Sequence, residues 1–583
     1  MIAEPDRILE HIKSLIGLTG AFADAGDDCV RSLAEVVSWS TIPGGNTLFS
    51  QGEPSTKIYI TSSGLLGAYT HNSLGQETLV GRIGSGELIG EMGCVAGETR
   101  SATIRALRTS QVLEISWEAI EPLARAHPSL MFSLCRTVIG RLRGVMEGKR
   151  PQIGLRTFCL LPHGEDQVIR TFVDDLVFEF CKLGSSFLVT KEICHDYTTD
   201  QLLALEASYD YVLYLAENDK TPWSKLCLNQ ADSVLIITQG QNTPLPIDPF
   251  SDVSAEISKN LVLLWPGKIL SGKTGPWLDS VRPRAHYHVR SVSDVGRAAR
   301  LLTGKGLGIV LAGGGARGLA HIGVMRAFAE HGIEIDAVVG TSIGALVGSS
   351  IAMEWNYPTS RNMAREFSRR HPLWELVLPL RSLLSGRNLR ISLERWYGAT
   401  EIEETPIPYA CVSTSLNTSG ASVHLRGKLK TWVRASASLP GIFPPVLENG
   451  IIYVDGGVMN NLPTDTIHGM GVGFVIAVEL GSGDRARART LPSIIDVLMR
   501  VATLGSDARN LSARHQCDVL LNPNLETVEL LDFRAYDLAM QIGHDCALEK
   551  IEQIKLRIPD KTASNASSPF LTVGLPVSGK DSD

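Results

Sequence analysis

Ile8, Leu9, Ile12, Leu15 and Ile16 repeat at the spacing of an amphipathic helix, and then the period changes. Short alternating runs follow, among them Lys57-Ile58-Tyr59-Ile60, Leu65-Leu66-Gly67-Ala68-Tyr69, Glu77-Thr78-Leu79-Val80 and Gln111-Val112-Leu113-Glu114-Ile115. PGG, SSG, SLG and GSG turns separate them. This pattern predicts a small antiparallel barrel. One helix is expected next, with Trp117, Ile120, Leu123, Leu130, Leu134 and Val138 on its apolar face. It ends in a basic stretch, Arg141 to Arg150, read as a solvated helix terminus rather than a docking patch.

Beyond residue 150 the apolar runs become continuous, as at Thr157 to Leu161, Ser186 to Val189, Tyr211 to Leu215, Ser233 to Ile237 and Leu261 to Leu264. Helix-length segments lie between them. Strands buried on both faces read this way, so 151–300 is expected to be a parallel α/β scaffold. A Pro- and Arg-rich connector, Val281 to His286, leads to a second α/β unit over 301–555, opening at Leu307-Gly308-Ile309-Val310-Leu311. The Ser/Pro/Lys/Asp-rich 556–583 is expected to be a disordered tail. The predicted whole is multidomain: a β-roll with helices over 1–150, an α/β scaffold, and a C-terminal α/β unit.

Length agrees with that division, since 583 residues at about 150 per domain make three or four units. The net charge of −7 with 44% hydrophobic residues describes ordinary globular cores and gives no overall attraction to nucleic acid. Ten scattered cysteines without C-x-x-C, or a His/Cys cluster at ligand spacing, suggest reduced thiols in a cytoplasmic chain and no metal. The N-terminus lacks the uninterrupted apolar core of an export signal. The longest uncharged run, Ala337 to Met353, is broken by Gly340, Thr341, Ser342, Gly344, Gly348, Ser349 and Ser350, and reads as a buried strand, turn and helix. Composition changes the picture at one place. Glycine is concentrated between Gly304 and Gly348, where the backbone needs freedom or close approach.

Two motifs fall there. Gly340-Thr341-Ser342-Ile343-Gly344 is a G-x-S-x-G between an apolar strand and a helix, the setting that lifts a serine hydroxyl above a sheet. Earlier, Gly313-Gly314-Gly315-Ala316-Arg317-Gly318 links a strand to a helix start, where backbone N–H groups converge as an oxyanion hole requires. A nucleotide phosphate is the alternative occupant, but the chain lacks the Lys-Ser/Thr of a P-loop and the dinucleotide spacing. A base is also needed. The strand Ile451 to Val454 ends in Asp455-Gly456-Gly457, while His321, close behind the glycine loop, is the rival base or a packing residue.

GGGARG, GTSIG and DGG in this order, with Arg434 to Pro445 ahead of DGG, resemble the motifs of patatin-like phospholipases. The resemblance implies a Ser-Asp dyad of Ser342 and Asp455 without histidine, an oxyanion hole in the 313–318 loop, and no required cofactor or metal. The expected reaction is hydrolysis of a carboxylic ester in a phospholipid or lysophospholipid.

In the N-terminal unit, Gly86-Glu87-Leu88-Ile89-Gly90-Glu91-Met92-Gly93 and Glu98-Thr99-Arg100-Ser101-Ala102-Thr103 resemble the phosphate-binding cassette of cyclic-nucleotide-binding domains. Glu91 then matches the ribose contact and Arg100 the phosphate contact, with Gly90, Ser101 and Ala102 alongside, and cAMP or cGMP becomes the expected regulatory ligand. Ile89 stands for the family's Phe, and Thr99 for its Pro. Tyr211 to Tyr214, Asp219, Thr221-Pro222-Trp223, Cys227 and Gln230 to Ile236 resemble the matching region of neuropathy target esterase homologues. The chain departs from these in having one cassette and no N-terminal membrane helix, so any membrane attachment is expected to be peripheral, on the inner face.

The apolar stretch His371 to Arg387, with Arg361, Arg365, Arg369 and Arg370 upstream, reads either as an acyl-chain gate on an anionic interface or as a helix packed on the sheet. A scaffold with an inert hydrolase unit is the alternative function. A transcriptional regulator would need a helix-turn-helix after residue 150, where an α/β pattern stands instead.

Overall fold

In the computed structural model the structure describes residues 27–71, 77–146, 155–164, 167–218, 221–244, 257–369, 375–378, 380–481, 497, 501 and 504–558. The helical pattern at 8–16, the basic residues 147–150 and most of the C-terminal tail lie outside the described residues.

The first unit is a roll of two antiparallel four-stranded sheets. Lys57–Ser63 pairs with Ser110–Ser116, and Ile58, Ile60, Leu113 and Ile115 point into a core closed by Leu33, Ile120, Leu130 and Leu134 from the flanking helices. The single helix expected after residue 116 is two, Trp117–Ala126 and Pro128–Met146. Pro128 disfavours helical backbone at the residue before it, and His127 leaves the helix with φ −128° and ψ 80°.

The middle unit is a six-stranded parallel sheet in the order Ser186–Val189, Tyr211–Leu215, Thr157–Pro162, Ser233–Gln239, Ser258–Leu264, Ala285–Val289. Its continuous apolar runs divide by alternation. Phe158, Leu160, Leu235 and Ile237 face one helix layer, and Cys159, Leu161, Val234 and Ile236 the other. The supposed connector is shorter than its composition suggests. Val281 closes the helix Thr274–Val281, Arg282 turns the chain at φ +49°, and Ala285 already starts the edge strand.

The third unit has an eight-stranded sheet whose path runs Val446–Glu448, Ile451–Asp455, Tyr409–Ser415, Ala337–Thr341, Gly306–Leu311, Val472–Val478, Val519–Leu521, with Gly420–His424 also on Tyr409–Ser415. The chain leaves Gly306–Leu311 in one direction through Ala337–Thr341 and later returns on its other side as Val472–Val478. Such a reversal opens a crevice at the carboxyl ends of the strands. The glycine loop and Ser342 both leave the sheet there.

The stretch Ala337 to Met353 is the strand Ala337–Thr341, a turn at Ser342, and the buried helix Ile343–Ala352. The described part of His371 to Arg387 is no helix packed on the sheet. Leu376 bridges to Leu384 in an antiparallel excursion that leaves Leu376, Leu378 and Leu380 exposed at 66%, 75% and 83%.

Candidate active site

Ser342 has φ +56° and ψ −123°, a backbone conformation that costs a side-chain-bearing residue free energy and is held by the strand before it and the helix after it. Gly340 and Gly344 make this turn possible, since a Cβ on Gly340 would collide with the Gly344 carbonyl and one on Gly344 with that of Leu311. The register does the rest. Thr341 lies level with Val412, and the next residue of that strand, Ser413, lies level with Asp455, so the serine and the aspartate emerge at one height.

The Ser342 hydroxyl donates to Asp455 Oδ2 at 2.6 Å. Asp455 Oδ1 accepts the Gly457 N–H at 2.7 Å, which orients the carboxylate within the turn that Gly456 and Gly457 form. Asp455 is 1% exposed. Burial pushes its carboxyl up to about 7, against the smaller opposing effects of the bonds from Ser342 and Gly457.

The glycine loop lies beside this pair, and a Cβ on Gly313 would come within 2.9 Å of Ser342 Cβ. Its amides are not equivalent. Gly313 N–H donates to Asn461 Oδ1 at 3.1 Å and Ala316 N–H to the Leu530 carbonyl at 2.8 Å. Gly314 and Gly315 N–H make no hydrogen bond to the described residues. The Arg317 side chain anchors the loop on the Val528 carbonyl at 2.8 Å, while Gly318 gives the Ile343 side chain its space.

Two positions were invisible in the sequence pattern. Ser436 Oγ accepts the Ser342 N–H at 2.9 Å and donates to the Val412 carbonyl at 2.6 Å. Asn461 Nδ2 returns a bond to the Gly313 carbonyl at 3.3 Å. Ser436 lies inside the 434–445 segment and Asn461 shortly after DGG, but nothing in the pattern gave either residue a role. His321 is elsewhere engaged: fully buried, its Nε2 lies 3.0 Å from the Ala312 carbonyl, and burial lowers its imidazole to about 4.

Comparison with known families matches residues 309–468 to the model described as Patatin-like phospholipase, a span that contains the glycine loop, Ser342 and Asp455. Residues 309–468 of the C-terminal unit are thus similar to a patatin-like phospholipase domain. Ahead of this patatin-like domain, residues 40–127 match the Cyclic nucleotide-binding domain and 154–306 the Neuropathy Target Esterase family P-loop like domain. Mouse Patatin-like phospholipase domain-containing protein 7 is 29% identical over 83% of this chain and 40% of its own length. The Drosophila melanogaster neuropathy target esterase sws is 29% identical over 79% and 38%, and mouse Patatin-like phospholipase domain-containing protein 6 is 27% identical over 93% and 47%. The chain thus spans less than half the length of these relatives.

In the unit that matches the cyclic nucleotide-binding model, Gly90 caps the short helix Glu91–Ala96 in left-handed backbone and Glu91 is buried. Arg100 is buried too. Its guanidinium donates to the Gly90 carbonyl at 3.0 Å and the Lys57 carbonyl at 2.8 Å, and lies 4.0 Å over the Phe49 ring. Ser101 is exposed and Ala102 half-buried. Gly90 and Arg100 of the cassette are therefore brought together, with Arg100 held by the roll's own carbonyls.

The third unit also contains a cavity of about 410 Å³ lined by Arg387, Arg390, Arg434, Ser438, Leu389 and Phe443 among others, and the carbonyl of Ser438 accepts the Asp455 N–H. Among the described residues no helix is long and apolar enough to cross a membrane.

Proposed function

We propose that this chain is a serine carboxylic ester hydrolase acting on phospholipid or lysophospholipid, with Ser342 as nucleophile and Asp455 as base. The 2.6 Å bond from the Ser342 hydroxyl to a buried carboxylate at the mouth of the glycine loop carries the reading. Ser342 Oγ attacks the acyl carbonyl as its proton passes to Asp455 Oδ2, giving a tetrahedral oxyanion. The unengaged amides of Gly314 and Gly315 donate to that oxygen. The carbon–oxygen ester bond then breaks, and the proton on Asp455 passes to the departing alcohol. Water, deprotonated by Asp455, attacks the acyl-serine, and fatty acid leaves as Ser342 regains the proton. A base near 7 suits this work, because it takes a proton at neutral pH and returns it without a large barrier.

The substrate meets the domain at a membrane or micelle surface. Exposed Leu376, Leu378 and Leu380, beside Arg381 and Arg387, form an apolar tip with a basic margin suited to peripheral contact with an anionic leaflet, on the cytoplasmic side. The roll is the regulatory unit, with a cyclic nucleotide, cAMP or cGMP, as its ligand.

Fatty-acid release from a panel of phospholipids and lysophospholipids, for the wild type and Ser342→Ala, tests the reading. Release from at least one lipid that disappears in Ser342→Ala is expected. Absence of Ser342-dependent release from every lipid would overturn it.

A further inference from the structure

The cavity that Ser438 lines carries charge of one sign only. Arg387, Arg390 and Arg434 line it, no carboxylate does, and none of the three forms an ion pair with a described residue. The nearest acids are otherwise engaged or remote. Glu375 accepts the Asn388 N–H and the Ser385 hydroxyl at the start of the helix Arg387–Tyr397. Glu448 acts on Arg434 only beyond ion-pair distance. Burial, and then the like charge of Arg390, makes the cation of Arg434 harder to hold. Arg434 is half-buried while Arg387 and Arg390 are exposed, so three cations line one cavity with no acid beside them, and a bound anion would relieve their mutual repulsion.

The wall of this cavity is also the support of the dyad. Arg434 and Ser436 lie on the helix Leu429–Ser436, and Ser436 Oγ holds the Ser342 N–H. Ser438, which lines the cavity, accepts the Asp455 N–H on its carbonyl at 2.8 Å. Leu389, Phe443 and Pro444 complete the lining with apolar surface. A ligand seated here would have an anionic group beside three guanidinium groups and an apolar portion beside Leu389 and Phe443, on a wall that continues through Ser438 and Ser436 to the backbone of Asp455 and Ser342.

We infer that this cavity is a phosphate subsite that binds the phosphodiester of a lipid headgroup while the ester is presented to Ser342. The inference rests on the esterase reading above and specifies its substrate: the preferred lipid carries phosphate close to the scissile ester. Guanidinium groups bind phosphate oxygens through paired, charge-assisted hydrogen bonds, and two or three of them distinguish a phosphodiester from a neutral glyceride by charge and shape together. Arg390 and Arg434 act on specificity and not on proton transfer.

The test uses the full chain and two substrates with one acyl chain, lysophosphatidylcholine and the monoacylglycerol that lacks phosphate. In Arg390→Gln and Arg434→Gln the ratio of kcat/KM for the first over the second is expected to fall at least tenfold, mainly through KM, with partial recovery in Arg434→Lys. Parallel loss on both substrates, or an unchanged ratio, would overturn the subsite. Calorimetric titration with glycerophosphocholine and with inorganic phosphate reads the cavity without turnover. Binding of glycerophosphocholine that weakens in Arg434→Gln supports the subsite even if no ester is hydrolysed. Tighter binding of inorganic phosphate than of glycerophosphocholine, or binding of neither, would overturn the headgroup assignment. Loss of Ser342-dependent release from both substrates, with glycerophosphocholine still bound, would instead remove the esterase reading alone.

Discussion

Arg108, in the turn that closes the N-terminal roll, donates its Nε–H to Asp232 Oδ1 of the middle unit at 2.7 Å. The same guanidinium reaches Glu206 Oε2 at 3.0 Å, and Tyr214 donates to the other oxygen of Glu206 at 2.6 Å. Asp232 Oδ2 also accepts the amides of Arg156 and Thr157, both at 3.1 Å, at the start of the central strand. All three charged groups are at least nine-tenths buried. The roll is therefore joined to the scaffold by a satisfied ionic network that also fixes where the middle sheet begins.

Breaking such a network from one side leaves uncompensated charge. Arg108→Met should cost about 3–5 kcal/mol at this joint and split the thermal unfolding of the full chain into two transitions, with the roll melting first. Calorimetry checks this, and a single unshifted transition would contradict it.

Activity should follow the ionisation of Asp455. With its carboxyl raised to about 7 by burial, kcat/KM should rise with pH through about 7 and be lost below it, where the base is protonated. Asp455→Asn should leave no such limb and little turnover. An acidic limb near 4 in the wild type would exclude a buried carboxylate as the base.

The same shift has a stability consequence with a definite sign. The folded carboxyl sits above its unfolded value of about 3.9, so between roughly 4 and 7 the folded state holds more protons and stability falls as pH rises. Asp455→Asn removes that loss. Its melting temperature should exceed that of the wild type at pH 8 by a few degrees and converge with it near pH 4.

Gly313→Ala addresses the loop. The added methyl would meet Asn461 Oδ1 at 2.6 Å and Ser342 Cβ at 2.9 Å, so loop and serine must separate. Turnover should fall by about a hundredfold, the order expected for a displacement near 1 Å, with the fold retained by circular dichroism. Near-normal turnover would show that loop position is unimportant.

Arg100 holds the cassette closed from inside, through two carbonyls and the face of Phe49. Arg100→Ala should lower roll stability by about 1–3 kcal/mol in addition to abolishing any response to cAMP or cGMP, and Arg100→Lys should restore neither fully, since it lacks the planar fork. Thermal melts with and without nucleotide measure both effects.

Turn residues and the spacing of the apolar runs determined the class of each unit here: short runs broken by glycine turns before residue 116, and continuous runs separated by helix-length segments beyond 150. Burial did not divide the same way, since Lys57–Ser63 is covered on both faces, Ile58 and Ile60 by helices and Tyr59 inside the roll. Local chemistry also marked Ser342, since a G-x-S-x-G between strand and helix is defined by a few consecutive backbone angles. The helix break at Pro128 was missed, because the apolar spacing continues across it. Three-dimensional pairing decided what adjacency in sequence cannot express. Ser342 and Asp455 are 113 positions apart and meet only because of strand register. The tie from Ser436 to the Ser342 amide, the use of Asn461 on Gly313, and the three arginines around one cavity arise the same way. A residue's type is written in the chain, but its partners and its burial depend on long-range contacts that only the folded sheet brings together.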